Sequence, residues 1–327
     1  MATAKPNNLM GRVFAVSAAA IALYVVLLIA TGWRDRSLEI STFPLVYVPL
    51  LIVFSLANYW LRFVRWEIYL RKLGISITRR ESLSIFFATF VMVITPGKLG
   101  EVFKAGILWE RHRVPLAVGL PVVIAERIFD FLAIFALAGM GLVFWSGPVS
   151  GIALGFIIAC VLPLLLVGLR SSRARRWLIS RAGKAPYLRR HRLALEESLE
   201  SLSGLMVGRL AAGSLAISVV AWACECLSLW FVCVGCEASI SITESFFIYA
   251  AGMLVGALAF LPGGLVGTEG TLIWLLVSRG IESGSAVTIA LIVRLATLWL
   301  AVAIGMVVFL ATRKIFWNDP PENHERE

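Results

Sequence analysis

Thr95-Pro96-Gly97-Lys98-Leu99-Gly100-Glu101 interrupts an apolar run, and Leu261-Pro262-Gly263-Gly264-Leu265-Val266-Gly267-Thr268-Glu269 interrupts another far downstream. In each, Pro removes a backbone donor and Gly opens backbone angles closed to other residues, so an arriving helix must stop and the chain can turn back. Pro96, Gly97 and Gly100 form the first hairpin break, and Pro262, Gly263, Gly264 and Gly267 the second. A Glu follows each break. Broken backbone and a carboxylate are costly in lipid and persist only where protein or water shields them, so each break marks a candidate site.

Other landmarks recur at nearly the same distance. Glu81 and Glu244 are 163 residues apart, Pro96 and Pro262 166, Glu101 and Glu269 168, and Arg127 and Arg294 167. This spacing points to an internal duplication, with one repeat at about 43–145 and the other at about 210–311. A composition of 59% hydrophobic and 15% charged residues, with mean hydropathy +0.87, excludes a water-soluble globule with a polar shell. The expected fold is an all-α polytopic membrane protein.

The apolar run at 13–31 is long enough to span a bilayer and has no convincing cleavage site after it, so it is expected to remain as the first helix. Further spans are expected at 43–61, 115–145, 149–169, 210–234 and 286–311. Pro121 is expected to tilt or kink the start of the third. The segment 82–94 has 13 residues, roughly 20 Å of helix at 1.5 Å per residue, against a hydrocarbon core of about 30 Å. It should enter, break and return through 101–109; 246–260 and 271–278 should do likewise. The expectation is therefore six spanning helices plus two re-entrant helical hairpins.

With the N-terminus in the cytoplasm, this map places 23 of the 30 Lys and Arg on the cytoplasmic side, ten of them in a basic loop at 170–209. Six of the 23 lie at 62–80 and mark the expected end of the second span. Arg34, Arg36 and Arg279 fall outside; Lys98, Lys104, Arg127 and Arg294 lie at membrane depth. The bias orients both termini to the cytoplasm. It also makes the first hairpin enter from the cytoplasm and the second from outside, an inverted repeat. Broken helices meeting near the midplane of inverted repeats are a secondary-transporter architecture.

Lys98, Glu101 and Lys104, three apart, lie along one face of the return helix, whose N-terminus offers unpaired N–H groups to an anion. With Arg127 and Arg294 they are the candidate substrate-binding residues, suited to a phosphate; the competing reading is a structural ion cluster. Glu126 and Asp130 share a helical face, with Arg127 turned about 100° from Glu126. Glu126, Asp130 and Glu269 are the candidate coupling or ion-pair groups. Lys98 or Lys104 is expected to pair with one of the first two acids, and Arg294 with Glu101 or Glu269. Glu225 reads as a carboxylate satisfied by a neighbouring helix. Cys160, Cys224, Cys226, Cys233 and Cys236 read as small hydrophobes rather than metal ligands, since no His lies nearby. No metal, cofactor or catalytic residue is expected.

Thr95 to Glu101, then Ala125-Glu126-Arg127-Ile128-Phe129-Asp130, then Leu261 to Glu269 and Arg294, together resemble the transmembrane region of lysylphosphatidylglycerol synthases and their stand-alone flippase-like relatives. The resemblance covers almost the whole chain. It implies translocation of a phospholipid or of a polyprenyl-linked or other lipid, without a soluble synthase domain in this chain. The expected function is flippase-like transport of an anionic phospholipid or lipid-linked headgroup in the bacterial cytoplasmic (inner) membrane, rather than enzymatic. Two alternatives are an intramembrane lipid-modifying enzyme using Glu101 or Asp130 as general base, and a non-transporting partner of a membrane glycosyltransferase. Membrane lipids, anionic ones in particular, are the expected partners, with a lipid-synthesising enzyme or glycosyltransferase as a candidate protein partner; nucleic acid is not expected.

Overall fold

The computed structural model describes residues 43–95, 99–145, 192–258 and 263–317. The expected spans at 13–31 and 149–169, Pro96, Gly97, Lys98 and Pro262, and the 170–191 part of the basic loop lie outside the described residues. Every regular element described is helical. In chain order these are α1 (Val48–Lys72), α2 (Arg79–Ala88) continued as a 3-10 turn (Thr89–Ile94), and a second 3-10 turn (Leu99–Val102) leading into α3 (Phe103–His112). Then come α4 (Leu116–Leu142), α5 (Arg192–Leu205), α6 (Gly208–Gly235), α7 (Ile242–Leu258), α8 (Gly267–Ser278) and α9 (Ser283–Arg294). A π-turn (Leu295–Trp299) joins α9 to α10 (Leu300–Trp317).

Among the described residues, three helical runs are long and apolar enough to cross a membrane: Leu45–Lys72, Gly208–Gly235 and Ser283–Thr312. The first is longer than expected. Arg62 and Arg65 do not end it, because they turn into the protein instead of toward headgroups. Leu51, Ser55, Asn58, Arg62, Arg65 and Tyr69 are buried at alternating spacings of four and three, while Ile52, Val53, Leu56 and Trp60 are exposed. The polar side chains of this helix are thus turned inward beside buried aromatic ones such as Tyr59, Phe63 and Trp66, while apolar side chains face out, as lipid as the outer solvent requires. At 27 residues, α4 has ample length, but Glu126, Arg127 and Asp130 sit along it. Pro121 is accommodated inside that helix.

Both short arms begin with the same device. Thr78 Oγ1 accepts from Glu81 N while Glu81 Oε2 accepts from Thr78 N; Ser241 and Glu244 repeat the exchange at 3.2 and 2.8 Å. These capping boxes start α2 and α7 three or four residues earlier than expected. They also give the recurring Glu81 and Glu244 a structural role. With the early starts, the arms reach about 27 Å and about 26 Å, closer to the core thickness than the apolar runs alone indicated.

The element order of 45–142 recurs in 208–317: a long helix, a short arm, a break, a short return and a long helix. The packing is reciprocal. α1 lies against α6, α4 lies on α7, and α10 lies on α2 and its 3-10 continuation, so the last helix of each stretch covers the short arm of the other. Glycine allows both crossings: a Cβ at Gly141 would collide with the backbone of Thr243 and Phe247, and one at Gly305 with the backbone of Phe90 and Val91. The expected basic loop contains α5, which packs on α4 and buries Leu202 and Leu205. Cys226 and Cys233 are buried free thiols in the second of two large apolar clusters.

Candidate functional site: an ion cluster and two cavities at the breaks

The first break brings three elements together. α1 contributes Arg62 and Arg65, the 3-10 turn after the break contributes Glu101, and α4 contributes Arg127 and Asp130. Asp130 is the hub: its oxygens lie 2.8 Å from Arg65 Nη2, 2.8 Å from Arg127 Nη2 and 3.6 Å from Arg62 Nη2. Glu101 contacts Arg127 at 2.8 Å and Arg62 at 3.6 Å. Arg65 also donates to Ser218 Oγ on α6. Arg127 and Asp130 pair because residues three apart lie only about 60° apart around a helix, although Arg127 points away from Glu126.

Lys104 sits elsewhere. Its Nζ donates to Glu126 Oε2 at 3.0 Å and lies 4.2 Å from the centroid of Phe86 and 5.1 Å from that of Trp66. Both members of this pair are buried, and neither borders a cavity described below. At the second break, Arg294 Nε donates to Glu269 Oε1 at 2.6 Å and Nη2 to the Gly263 carbonyl at 2.8 Å. Arg294 thus selects Glu269 of the two acids considered, and ties α9 to the break itself. Gly263 and Gly264 have φ of +63° and +69° there, as a turn-back requires, while Val266, β-branched, is held at +70°. Gly267 is the first residue of α8, and Gly100 lies within a 3-10 turn.

The second break meets the end of the first arm. A Cβ on Gly263 would rest 3.6 Å from the Cα of Ile94, at the end of the first arm. Between them is a cavity of about 300 Å³ whose wall includes Thr95, Arg127 and Asp130 from the first stretch and Gly256, Gly264 and Thr268 from the second. Arg127 is the more exposed partner of its ion pairs, with 21% of its side chain accessible. A second cavity, about 50 Å³, is bordered by Asn58, Tyr59, Arg62, Glu225, Tyr249 and Arg294. Trp222, Met253 and Gly263 line both.

Arg62 and Arg65, expected among the cytoplasmic charges, are instead buried inside the protein. The buried stripe from Leu51 to Tyr69 carries the missing signal: Ser55, Asn58, Arg62 and Arg65 continue one helical face. Glu225 has the neighbour expected of it, accepting from the Tyr249 hydroxyl on α7 at 3.0 Å.

Apolar lipid-length helices enclosing charged groups and broken backbone define an integral membrane protein with a polar interior. The chain belongs to the family of the lysylphosphatidylglycerol synthase TM region, whose family model matches residues 14–305. Its curated relatives include a UPF0104 membrane protein of Methanocaldococcus jannaschii, 23% identical over 242 residues, which are 71% of this chain and 97% of that protein. Another, from Methanothermobacter thermautotrophicus, is 29% identical over 232 residues, 64% of this chain and 66% of its own length. A third, from Pyrococcus horikoshii, is 21% identical over 277 residues, 77% of this chain and 83% of its own length. No solved structure matches the chain.

Proposed function

We propose that this protein is a flippase-like transporter that moves an anionic phospholipid or lipid-linked headgroup through the polar interior while the acyl or prenyl chains stay in lipid. The observation that carries this reading is the cavity of about 300 Å³ between the two breaks, mostly apolar but presenting Arg127 beside Asp130. Arg127 is the headgroup contact in this reading, because Lys104 is enclosed and Arg294 is engaged by the second break. The reading is favoured over an enzyme using Glu101 or Asp130 as general base by the guanidinium contacts that both carboxylates already make. In proteoliposomes carrying a labelled anionic lipid, Arg127→Gln is expected to slow transport per folded protein by about 10- to 100-fold, the loss of one charge-assisted contact. An unchanged rate would remove Arg127 from the substrate path.

In the same reading the chain has six spans and two re-entrant hairpins, arranged as an inverted repeat in the bacterial cytoplasmic membrane, with both termini in the cytoplasm. Recurrent element order and reciprocal packing support the duplication. The inversion rests on loop charge, which stays strongly biased after Arg62 and Arg65 move inside. Single cysteines at 113 and 279, in an otherwise cysteine-free background, are expected to react with impermeant reagent from opposite sides. Labelling of both from one side would sink the inversion.

A further inference from the structure

The cavity of about 300 Å³ has a charged end and an apolar end. Arg127, Phe131 and Ile134 follow one another along α4 at spacings of four and three, so its wall passes from a guanidinium to apolar side chains within about 10 Å. Met253, Ala257 and Leu258 of α7 extend the apolar part. α4 and α7 are tight at Gly141, where an added Cβ would collide with the backbone of Thr243 and Phe247, and the cavity lies toward the other end of their contact. Phe131 and Leu258 line it and are 38% and 77% exposed, so its apolar end is open. At membrane depth, what lies beyond is hydrocarbon.

The charged end is small. Among the described residues, its polar side chains besides Arg127 and Asp130 are the Thr95 and Thr268 hydroxyls and the Trp222 indole, and the Thr95 hydroxyl already donates to the Met92 carbonyl at 2.7 Å. Thr268 is pressed against Gly256, where an added Cβ would collide with its hydroxyl, so this wall cannot close further. One phosphate can use every donor available. A diacyl phospholipid brings two ester carbonyls and a second chain as well, and a buried carbonyl without a donor is costly. The volume, too, is at the lower limit of ligand cavities.

We propose that the lipid this cavity takes is a single-chain lipid phosphate, an alkyl or prenyl phosphate whose hydrocarbon starts at the phosphate ester. The phosphate meets Arg127, the first carbons run along Phe131, Ile134 and Met253, and the rest of the chain leaves between Phe131 and Leu258 into the bilayer. The inference rests on the lipid-transport reading and narrows its substrate. A chain entering the apolar end exchanges one apolar surrounding for another, whereas ester oxygens would leave the hydrated interface for a wall short of donors. Selectivity therefore comes from what the wall rejects.

The test uses purified full-length protein in phosphatidylcholine nanodiscs carrying dodecyl phosphate or phosphatidylglycerol at equal mole fraction, each with a photoactivatable group in its chain. Inorganic phosphate is the soluble competitor. The single-chain phosphate is expected to bind at least about tenfold more tightly, the order of one buried acceptor left unpaired, and to cross-link within 131–134 and 253–258. Ala257→Phe, which fills the apolar end, should weaken that binding by about tenfold, and the cross-link map on wild type carries the test if this variant does not fold. Equal or tighter binding of phosphatidylglycerol, cross-links confined to other segments, or full-strength binding by folded Ala257→Phe would overturn the proposal and leave lipid transport standing. Displacement of dodecyl phosphate by inorganic phosphate at matched concentration, or binding of neither lipid, would overturn the transport reading together with the proposal.

Discussion

Replacing Asp130 by Asn is expected to lower stability by about 3–5 kcal/mol and remove most of the folded protein, because it leaves buried guanidiniums without their shared counter-charge. Arg65 is fully buried and 2.8 Å from Asp130, Arg127 is equally close, and Arg62 is 3.6 Å away. Glu101 lies near Arg62 and Arg127, so removal of Asp130 bears most heavily on Arg65, which also donates to the Ser218 hydroxyl. Adding Arg65→Met to Asp130→Asn should recover a substantial part of the loss, since the charge left uncompensated is then gone. Detergent unfolding curves on the two single variants and the double variant give the interaction energy directly. A wild-type midpoint for Asp130→Asn would mean that the cluster does not hold α1 against α4.

Glu126→Gln should be almost as damaging, again by about 3–5 kcal/mol, because it strands the Lys104 ammonium in an apolar enclosure. The geometry also separates structure from transport. Lys104 is held by Glu126, Phe86 and Trp66 and borders neither cavity. The double variant Lys104→Met with Glu126→Gln should therefore recover to within about 1 kcal/mol of wild type and still move lipid, since replacing a whole buried pair by neutral groups is often close to neutral. A folded double variant without transport would instead place Lys104 in the headgroup path. That result would restore the role its spacing from Lys98 and Glu101 implied.

The capping boxes show why some of the architecture was legible and some was not. Glu81 and Glu244 stood out as a recurrence, yet their role depends on the Thr78 and Ser241 hydroxyls three residues earlier. Those boxes extend each arm beyond its apolar run, so hydropathy alone underestimated arm length. The helix within the basic loop is hidden from the sequence for a related reason. Leu202 and Leu205 are too few to stand out among so many charges, and α5 became evident only as a helix packed on α4.

Backbone chemistry and lipid solubility were determined by the sequence itself: Pro-Gly breaks, apolar helices, recurring landmarks and a polar interior follow from local residue types. Gly263 and Gly264 adopt left-handed angles where a turn-back was expected, because only a residue without a Cβ reaches them cheaply. The choice among ion partners belonged to the tertiary structure. Arg62 and Arg65 continue the helical face of Ser55 and Asn58, which marks them as inward-facing, but that face does not say which carboxylate each will meet. The packing of α1 against α6 and the position of α4 make that distinction: they bring Asp130 within 2.8 Å of Arg65 while directing Glu126 to Lys104 and leaving Arg294 to Glu269. Ion pairs between distant elements are set by approach distance in a low-dielectric interior, a quantity that exists only once the helices are packed.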